Sequence, residues 1–280
     1  MTARTVIVIS DLHCGCRLGL CPPSGAALDG GGTYEPSRFQ RKVWQRWTAF
    51  WDEWVPHVTK GEPFALVVNG DALDGIPHGA KTPISHNLSD QEEIGYRVLL
   101  PIVDMAEAYY HVRGTEAHVG KSGEEEERLA QRLGAEQDAT GAHSRWDLWM
   151  NLQNHLLHFE HHIGTTASSA YESTAVGKEM VEGYVEAGRW GRPPAQVTVR
   201  SHRHRYYKTE QYGEKGLHIS LVTPAWQGKT PFAHRVARFS EPQIGGIAIR
   251  AGEDEPIYTR AMVWAMERSP VEVVSGPAQT

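Results

Sequence analysis

The sequence Val6-Ile7-Val8-Ile9 is followed directly by Ser10-Asp11-Leu12-His13. Four consecutive β-branched residues predict a short strand that is buried on both faces. Asp11 and His13 come where that strand ends. Residues two apart in an extended segment point to the same side, so these two side chains can reach one cluster of metal ions together.

The same arrangement recurs along the chain. Apolar runs at residues 64–68, 109–112, 156–160 and 197–199 each end in polar residues, which are Asn69-Gly70-Asp71, the segment 113–118, His161-His162 and Ser201-His202-Arg203-His204. Helical patterns lie between several of these strands, which indicates an α/β fold. Ligands of open α/β sheets bind beyond the carboxyl ends of the strands, so the polar residues are expected to converge in one site.

Composition narrows the class of protein. The chain has 280 residues, 15 histidines and a formal net charge of −6, which argues against a broad, non-specific nucleic-acid coat. Its three cysteines, Cys14, Cys16 and Cys21, cannot build a disulfide framework, so a reducing, cytoplasmic location is expected. No apolar run is long enough to span a membrane.

Four helices are predicted from periodicity and capping signals. A helix over 38–55 carries Trp44, Trp47, Trp51 and Trp54, for which core packing or a homodimer contact are both open. Ser89 and Glu92 predict a capping box at the start of the next helix. The acidic run 124–127 begins a third helix and is predicted to be solvated, and a fourth is predicted over 171–187. Strand-like runs at 218–222, 247–249 and 258–263 follow.

The ordered set Asp11-x-His13, Gly70-Asp71, Gly114, His161 and His202-x-His204 resembles the calcineurin-like metallophosphoesterases. The resemblance spans about residues 5–205. The segments 9–15 and 114–118 look most like a phage and prophage branch of that family. It implies an α/β fold in which two mixed β-sheets pack as a sandwich flanked by helices. We expect a single domain over 1–280, in which strands within about 206–265 complete the sheets.

The resemblance also implies a site with two divalent metal ions. Asp11, His13, Asp71 and His204 would hold the first ion, and Asp71 would bridge to a second ion that His161 and His202 also hold. His162 is the fallback for His161. Imidazole and carboxylate ligands favour Mn, with Fe, Zn, Ni or Mg as alternatives.

The chain departs from the family pattern after Gly114. The family has a metal-binding Asn and then an acid His there, whereas this chain has Thr115 and Glu116. We expect His118 to act as the acid or as a ligand, with Glu116 orienting it or capping the following loop. Thr115 and Arg203 are candidates for binding the phosphate. Asp74 is a candidate hydrogen-bond partner of a ligand histidine.

These residues predict a binuclear metal-dependent hydrolase of phosphate esters. Two divalent ions can generate hydroxide from bound water and bind phosphate oxygens, and a diester is the expected substrate. A nuclease and a small-nucleotide phosphodiesterase are both open. The alternatives are a phosphomonoesterase, a catalytically impaired protein of the same fold that binds metal or nucleic acid, and a zinc module built on the cysteines.

Overall fold

A computed structural model describes residues 3–164, 169–213, 216–236, 240–252 and 256–267. It contains thirteen strands within these ranges. They are β1 (Thr5–Ile9), β2 (Ala26–Ala27), β3 (Thr33–Tyr34), β4 (Phe64–Asn69), β5 (Ala108–Val112), β6 (Ser144–Arg145), β7 (Asp147–Leu152), β8 (His155–Glu160), β9 (Val197–Arg200), β10 (Tyr207–Gly213), β11 (Gly216–Val222), β12 (Gln243–Arg250) and β13 (Tyr258–Ala265).

The strands form two large mixed sheets and one small hairpin. The six-stranded sheet has the order β13-β12-β1-β4-β5-β6, in which β1, β4, β5 and β6 run parallel and β12 and β13 antiparallel to their neighbours. The five-stranded sheet has the order β10-β11-β9-β8-β7, with its three central strands parallel. The hairpin is β2-β3. The strands after residue 206 thus join both large sheets.

Seven α-helices are described, together with single turns of other helix types. They are α1 (Arg38–Ala49), α2 (Val55–Thr59), α3 (Leu88–Val103), α4 (Glu116–Val119), α5 (Glu124–Arg132), α6 (Glu172–Trp190) and α7 (Pro231–Val236). A π-helical turn, Phe50–Trp54, joins α1 to α2, and 3₁₀ turns span Pro77–Gly79 and Ser169–Tyr171.

The two sheets pack face to face, and helices cover their outer faces. Val6, Val67, Phe159 and Val199 belong to one buried cluster that both sheets share. On the other face of the six-stranded sheet, a second cluster includes residues of α1, α2 and α3. α6 packs on the five-stranded sheet through Ala175, Val176 and Met180, which are buried. The predicted sandwich of two mixed sheets flanked by helices is therefore confirmed.

Three details differ from the sequence expectation. The helix beginning near Ser89 is capped by Asn87, whose Oδ1 accepts the Ser89 N–H at 3.0 Å, so Ser89 is not the cap. The helix expected over 38–55 passes through the π turn before Pro56, a residue that cannot donate the normal helical hydrogen bond. Strand β7 was not predicted, although its side chains alternate between exposed and buried.

The tryptophans of the first helical segment pack in the core. Trp47, Trp51 and Trp54 are buried, and Trp44 is partly buried against the same cluster. Their burial favours core packing over a dimer contact. The homodimer remains a prediction, but the tryptophan side chains that suggested it pack in the core. Every helix in the described ranges is too short or too polar to cross a bilayer.

Candidate metal centre

Loops at the carboxyl ends of strands from both sheets meet at one edge of the sandwich. β1 and β4 run parallel in register, and beyond them Asp11 N–H donates to Gly70 O at 2.9 Å and His13 N–H to Asp71 O at 3.0 Å. In the other sheet, Ser201 N–H donates to His161 O at 2.9 Å beyond β8 and β9. These backbone bonds fix the loops that carry the predicted ligands.

The predicted ligands fall into two adjacent groups of three. The ligand atoms in each group lie within 4.8 Å of one another, and the groups are Asp11, His13 and His204, and Asp71, His161 and His202. His204 Nε2 lies 3.1 Å from Asp11 Oδ1, and His161 Nε2 lies 3.0 Å from Asp71 Oδ2. Each group draws on both sheets. His162, the fallback for His161, is exposed.

The backbone at these residues is strained. Eight non-glycine residues in the described ranges have positive φ, and five of them are predicted ligands, namely Asp11, His13, Asp71, His202 and His204. This left-handed conformation costs free energy for residues other than glycine and persists only where the surroundings impose it. Such clustering is typical of functional sites, and it turns each side chain towards the others.

Two glycines allow the close packing of the centre. A Cβ on Gly114 would come within 2.0 Å of Asp71 Oδ1, and a Cβ on Gly70 would come within 2.5 Å of the His161 ring. Any larger residue at either position would therefore displace a predicted ligand. Thr115 follows Gly114 and donates its N–H to Asp71 Oδ1 at 2.8 Å.

The donor set fits divalent ions. Asp11 Oδ1 and His161 Nε2 are buried, and neither makes a well-aligned hydrogen bond within the described residues; their short contacts are with other predicted ligands, His204 Nε2 at 3.1 Å and Asp71 Oδ2 at 3.0 Å. A buried polar atom whose hydrogen bonds are incomplete is costly, and a cation held by these atoms would satisfy them. The other ring nitrogen of His161, Nδ1, donates its N–H to Asn69 O at 2.7 Å. Such a contact orients a ligand imidazole.

Opposed charges shift the pKa values of the centre. Burial alone would raise the pKa of Asp11 and Asp71, but the surrounding histidines, His161 among them, outweigh it and lower both. Burial would lower the pKa of His161, but Asp71 and Asp11 raise it to about 10. Burial and His161 lower the pKa of His202 to about 4. His161 therefore carries the proton that partly compensates the two carboxylates.

Asp74 and His118 extend the first group. Asp74 Oδ1 lies 3.2 Å from His13 Nδ1, in the position expected of a partner that orients a ligand histidine. His118, on α4, lies with its ring centroid 4.5 Å from that of His13 and its Nδ1 2.5 Å from Asp74 O. Although burial would lower it, Asp71 and Asp74 raise the pKa of His118.

Glu116 does not have the place expected for it. Its side chain is exposed in the first turn of α4 and lines the cleft, whereas the backbone carbonyl of Asp74 contacts His118. Residues two apart on a helix do not face each other, which explains why Glu116 does not orient His118.

Glu126 is a residue of the site that the sequence analysis missed. The acidic run 124–127 was expected to be solvated, but Glu126 is fully buried. Its Oε1 accepts the Ala72 N–H at 2.7 Å and its Oε2 accepts the Gly114 N–H at 2.6 Å. The signal was helical spacing, because residue 126 shares the face of Leu129, Ala130 and Leu133.

A network of hydrogen bonds between side-chain hydroxyls connects the loops that carry the predicted ligands. Ser10 Oγ donates to Asp11 Oδ2 at 2.6 Å and lies 2.6 Å from Thr223 Oγ1. Thr223 in turn donates to Ser201 Oγ at 2.8 Å, and Asn69 Nδ2 donates to the same atom at 2.7 Å. Ser201 thus links residues of both sheets.

The arginines near the His-x-His pair have separate positions. Arg200 is buried and pairs with Glu179 at 2.8 Å, and Arg205 pairs with Glu172 at 3.1 Å. Arg203 lines the cleft over the predicted ligands and donates through Nη2 to Gly164 O. Its Nη1 has no hydrogen-bond partner among the described residues. Of the three arginines near the His-x-His pair, Arg203 is the one that lines the cleft.

The cysteines do not form a metal site. All three are buried and free, and burial raises the pKa of Cys16 to about 12 and that of Cys21 to about 11. In the described ranges no group suited to a metal contains a cysteine. The described residues therefore give no support to the zinc-module alternative.

A further acidic group lies outside the metal centre. Asp147, His158 and Glu160 come together on the outer face of β7 and β8. Arg200 lies 3.3 Å from Glu160 and 3.4 Å from His158 Nδ1, so this group is an ion-pair network built around a cation.

Comparison with known proteins yields distant structural likenesses. No protein-family model and no curated protein matches the sequence. Vps29 of Entamoeba histolytica, in a structure described as complexed with Zn²⁺, is 10% identical with a TM-score of 0.41, over 92% of this chain and 98% of that one. Vps29 of Chaetomium thermophilum is 10% identical with a TM-score of 0.42, over 94% and 99%. The sulfate thiohydrolase SoxB of Thermus thermophilus is 11% identical with a TM-score of 0.42, over 94% and 57%.

Proposed function

We propose that this protein is a metal-dependent phosphodiesterase of the calcineurin-like type that binds two divalent ions. The observation that carries the proposal is the meeting of six Asp and His side chains, from loops of both sheets, in two adjacent groups of three. Asp11, His13, Asp71 and His204 would hold the first ion. Asp71, His161 and His202 would hold the second. Mn is the metal we expect.

The ions, when bound, supply Lewis-acid activation of water and of the phosphate oxygens. The chain supplies the rest of the chemistry. His118 contacts Asp74 O through Nδ1, which leaves Nε2 to carry a proton that can pass to the leaving oxygen. Its raised pKa keeps that proton in place closer to neutral pH.

Thr115 and Arg203 are proposed to position the phosphate. Thr115 Oγ1 lies 3.3 Å from both carboxylate oxygens of Asp71, where the family has an Asn ligand. A hydroxyl is a weaker ligand than an amide oxygen, so the second ion is expected to be held less tightly than the first. Arg203 Nη1 can contact a phosphate oxygen, an interaction for which guanidinium is well suited.

A diester is the proposed substrate class. Asp74 is followed by Gly75, whereas the protein-phosphatase branch has an arginine there. The cation that an arginine would supply directly after Asp74 is therefore missing at that position. We expect bis(p-nitrophenyl) phosphate to be hydrolysed faster than p-nitrophenyl phosphate. A nuclease and a small-nucleotide phosphodiesterase both fit this class.

Metal analysis and an ester panel test the proposal. The protein is stripped with chelator, reloaded separately with Mn²⁺, Ni²⁺, Zn²⁺ or Mg²⁺, and assayed on both esters. We expect two ions per chain and hydrolysis of the diester. His202→Ala should lose the second ion, His204→Ala the first, and His158→Ala, outside the centre, neither. Full occupancy in all three variants would contradict the ligand assignment. One ion and no hydrolysis would favour a non-catalytic binding protein.

A further inference from the structure

The centre lies in a cleft much larger than a phosphate requires. The cleft has a volume of about 1640 Å³, whereas sites for small molecules typically occupy about 300–1,000 Å³. Its lining includes six cationic side chains, Lys81, Arg113, Lys121, Arg203, Lys229 and Arg235, and five acidic ones, Asp71, Asp74, Glu116, Glu160 and Glu172. Asp71 and Asp74 belong to the metal centre, so elsewhere in the lining the six cations face three acids, a balance that suits a polyanion longer than one phosphate ester.

Trp146 lines the same cleft as the metal centre. It follows β6, which pairs with β5, and the Arg113 N–H donates to Arg145 O at 2.8 Å. Arg113 is the residue before Gly114, which packs on Asp71. A short stretch of chain therefore connects the Trp146 ring to the proposed bridging carboxylate.

The indole is both held and accessible. The Arg113 guanidinium lies 5.3 Å from the Trp146 ring centroid, and Arg113 is itself anchored by Ser144 Oγ at 2.8 Å and by Glu127 at 3.3 Å. Trp146 is nevertheless 50% exposed. Apolar surface of this size, on a fixed residue in a cleft, is typical of a stacking platform.

We propose that Trp146 is a stacking platform for a nucleobase and that the cleft binds single-stranded nucleic acid. This inference rests on the proposed function, because the phosphodiester next to the stacked base is the bond presented to the metal centre. Stacking needs an unpaired base, which favours a single strand over a duplex. The cationic wall would follow the backbone, and the exposed Phe232 of α7 offers a second aromatic surface in the same cleft.

Trp149 provides a matched control within the same chain. It is 51% exposed, almost the same as Trp146, but it stacks on His158 at 4.1 Å on the outer face of the five-stranded sheet. It is not among the residues that line the cleft in the described ranges. Loss of an exposed tryptophan as such can therefore be separated from loss of the platform.

Equilibrium binding tests the inference apart from catalysis. Fluorescein-labelled phosphorothioate decathymidylate, which resists hydrolysis, is titrated into the Mn²⁺-loaded protein and followed by fluorescence anisotropy. An abasic strand of equal length is the second probe. Trp146→Ala should weaken thymidylate binding about 5- to 150-fold and leave abasic binding unchanged. Trp146→Phe should restore most of the affinity, and Trp149→Ala should change neither.

The outcomes separate this inference from the proposed function. Equal effects of Trp146→Ala on both strands, no effect on either, or the same loss with Trp149→Ala would overturn the platform. If the protein hydrolyses small diesters but does not bind the decathymidylate, the platform would also be overturned, while the proposed function would stand. Trp146-dependent binding without hydrolysis of any ester would keep the platform and overturn the proposed function. A dithymidylate that binds as tightly as the decamer would overturn the single-strand assignment.

Discussion

Asp71 is held by contacts to both of its carboxylate oxygens. Its φ is 52°, its Oδ1 accepts the Thr115 N–H, and its Oδ2 lies 3.0 Å from His161. Asp71→Asn replaces an anionic oxygen with an amide and should lower diester hydrolysis about 10²-fold or more with Mn²⁺ present. Asp147→Asn, on the outer face of the sheet, should retain its rate. A near-normal rate for Asp71→Asn would rule out a two-ion mechanism.

His118 is expected to act on the leaving group. If it donates a proton to the departing oxygen, His118→Ala should slow an ester with a poor leaving group about 10²-fold and barely affect p-nitrophenolate departure. The measurement compares kcat on matched alkyl and nitrophenyl diesters. Glu116→Gln, with an exposed side chain on the same short helix, is the control. Equal losses on both esters, with loss of metal, would instead make His118 a ligand.

His161 should couple metal binding to pH. Its pKa is raised to about 10, so the metal-free protein holds this proton at neutral pH, and a ligand imidazole must lose it. Metal binding at pH 7.5 should therefore release about one proton from His161. Apparent affinity should rise by about tenfold per pH unit and level off near pH 10. Calorimetry in two buffers with different ionisation enthalpies measures the released proton, and an identical heat in both buffers would contradict it.

At the residue scale, the sequence located the cluster but not all its contacts. Asp11, Asp71 and His202 could be predicted because each follows an apolar strand whose end position the sheet determines. The contact of His118 with Asp74 O could not be predicted, because it depends on how α4 packs on a loop 44 residues away in the sequence. The burial of Glu126 could be predicted only by giving its position on the apolar face of the helix more weight than its charge.

At the element scale, α5 fixes the distance between two ligand loops. Glu126 accepts backbone N–H groups from the Asp71 loop and the Gly114 loop, and both acceptors are buried. Glu126→Gln keeps one acceptor and places an NH₂ against the other N–H. We expect a loss of about 1–3 kcal/mol in the free energy of unfolding and a lower kcat. Urea denaturation measures the first, and the exposed Glu124→Gln on the same helix should change neither.

The elements that were hardest to predict are those that tertiary contacts define. Asn87 outcompetes Ser89 as a cap, although both are good capping residues, and sequence alone does not rank them. β7 was missed because the outward Trp149 lies between the inward Leu148 and Met150. A large aromatic residue at an exposed position hides the alternation of apolar and polar side chains that is typical of a half-buried strand. The buried strands β1 and β4 were predicted because both their faces are covered, which makes every position apolar.

At the scale of the whole molecule, the proposed ions join the two sheets. Asp11, His13 and Asp71 follow strands of the six-stranded sheet, and His161, His202 and His204 follow strands of the five-stranded sheet. Without ions, the negative charges of Asp71 and Asp11 repel each other across this junction. Ions that bind only the folded arrangement must therefore stabilise it.

Thermal unfolding should register this connection between the sheets. Metal at about 100 times its Kd stabilises the native state by about 2.7 kcal/mol, so Mn²⁺ should raise Tm by several degrees over chelated protein. Asp71→Asn should remove most of this rise, because it touches the junction of both ligand groups, whereas Asp147→Asn should preserve it. The chelated wild-type and Asp71→Asn proteins provide the reference for any intrinsic change in Tm. A metal-induced rise that is equal in Asp71→Asn and wild type would place the stabilising ion elsewhere in the molecule.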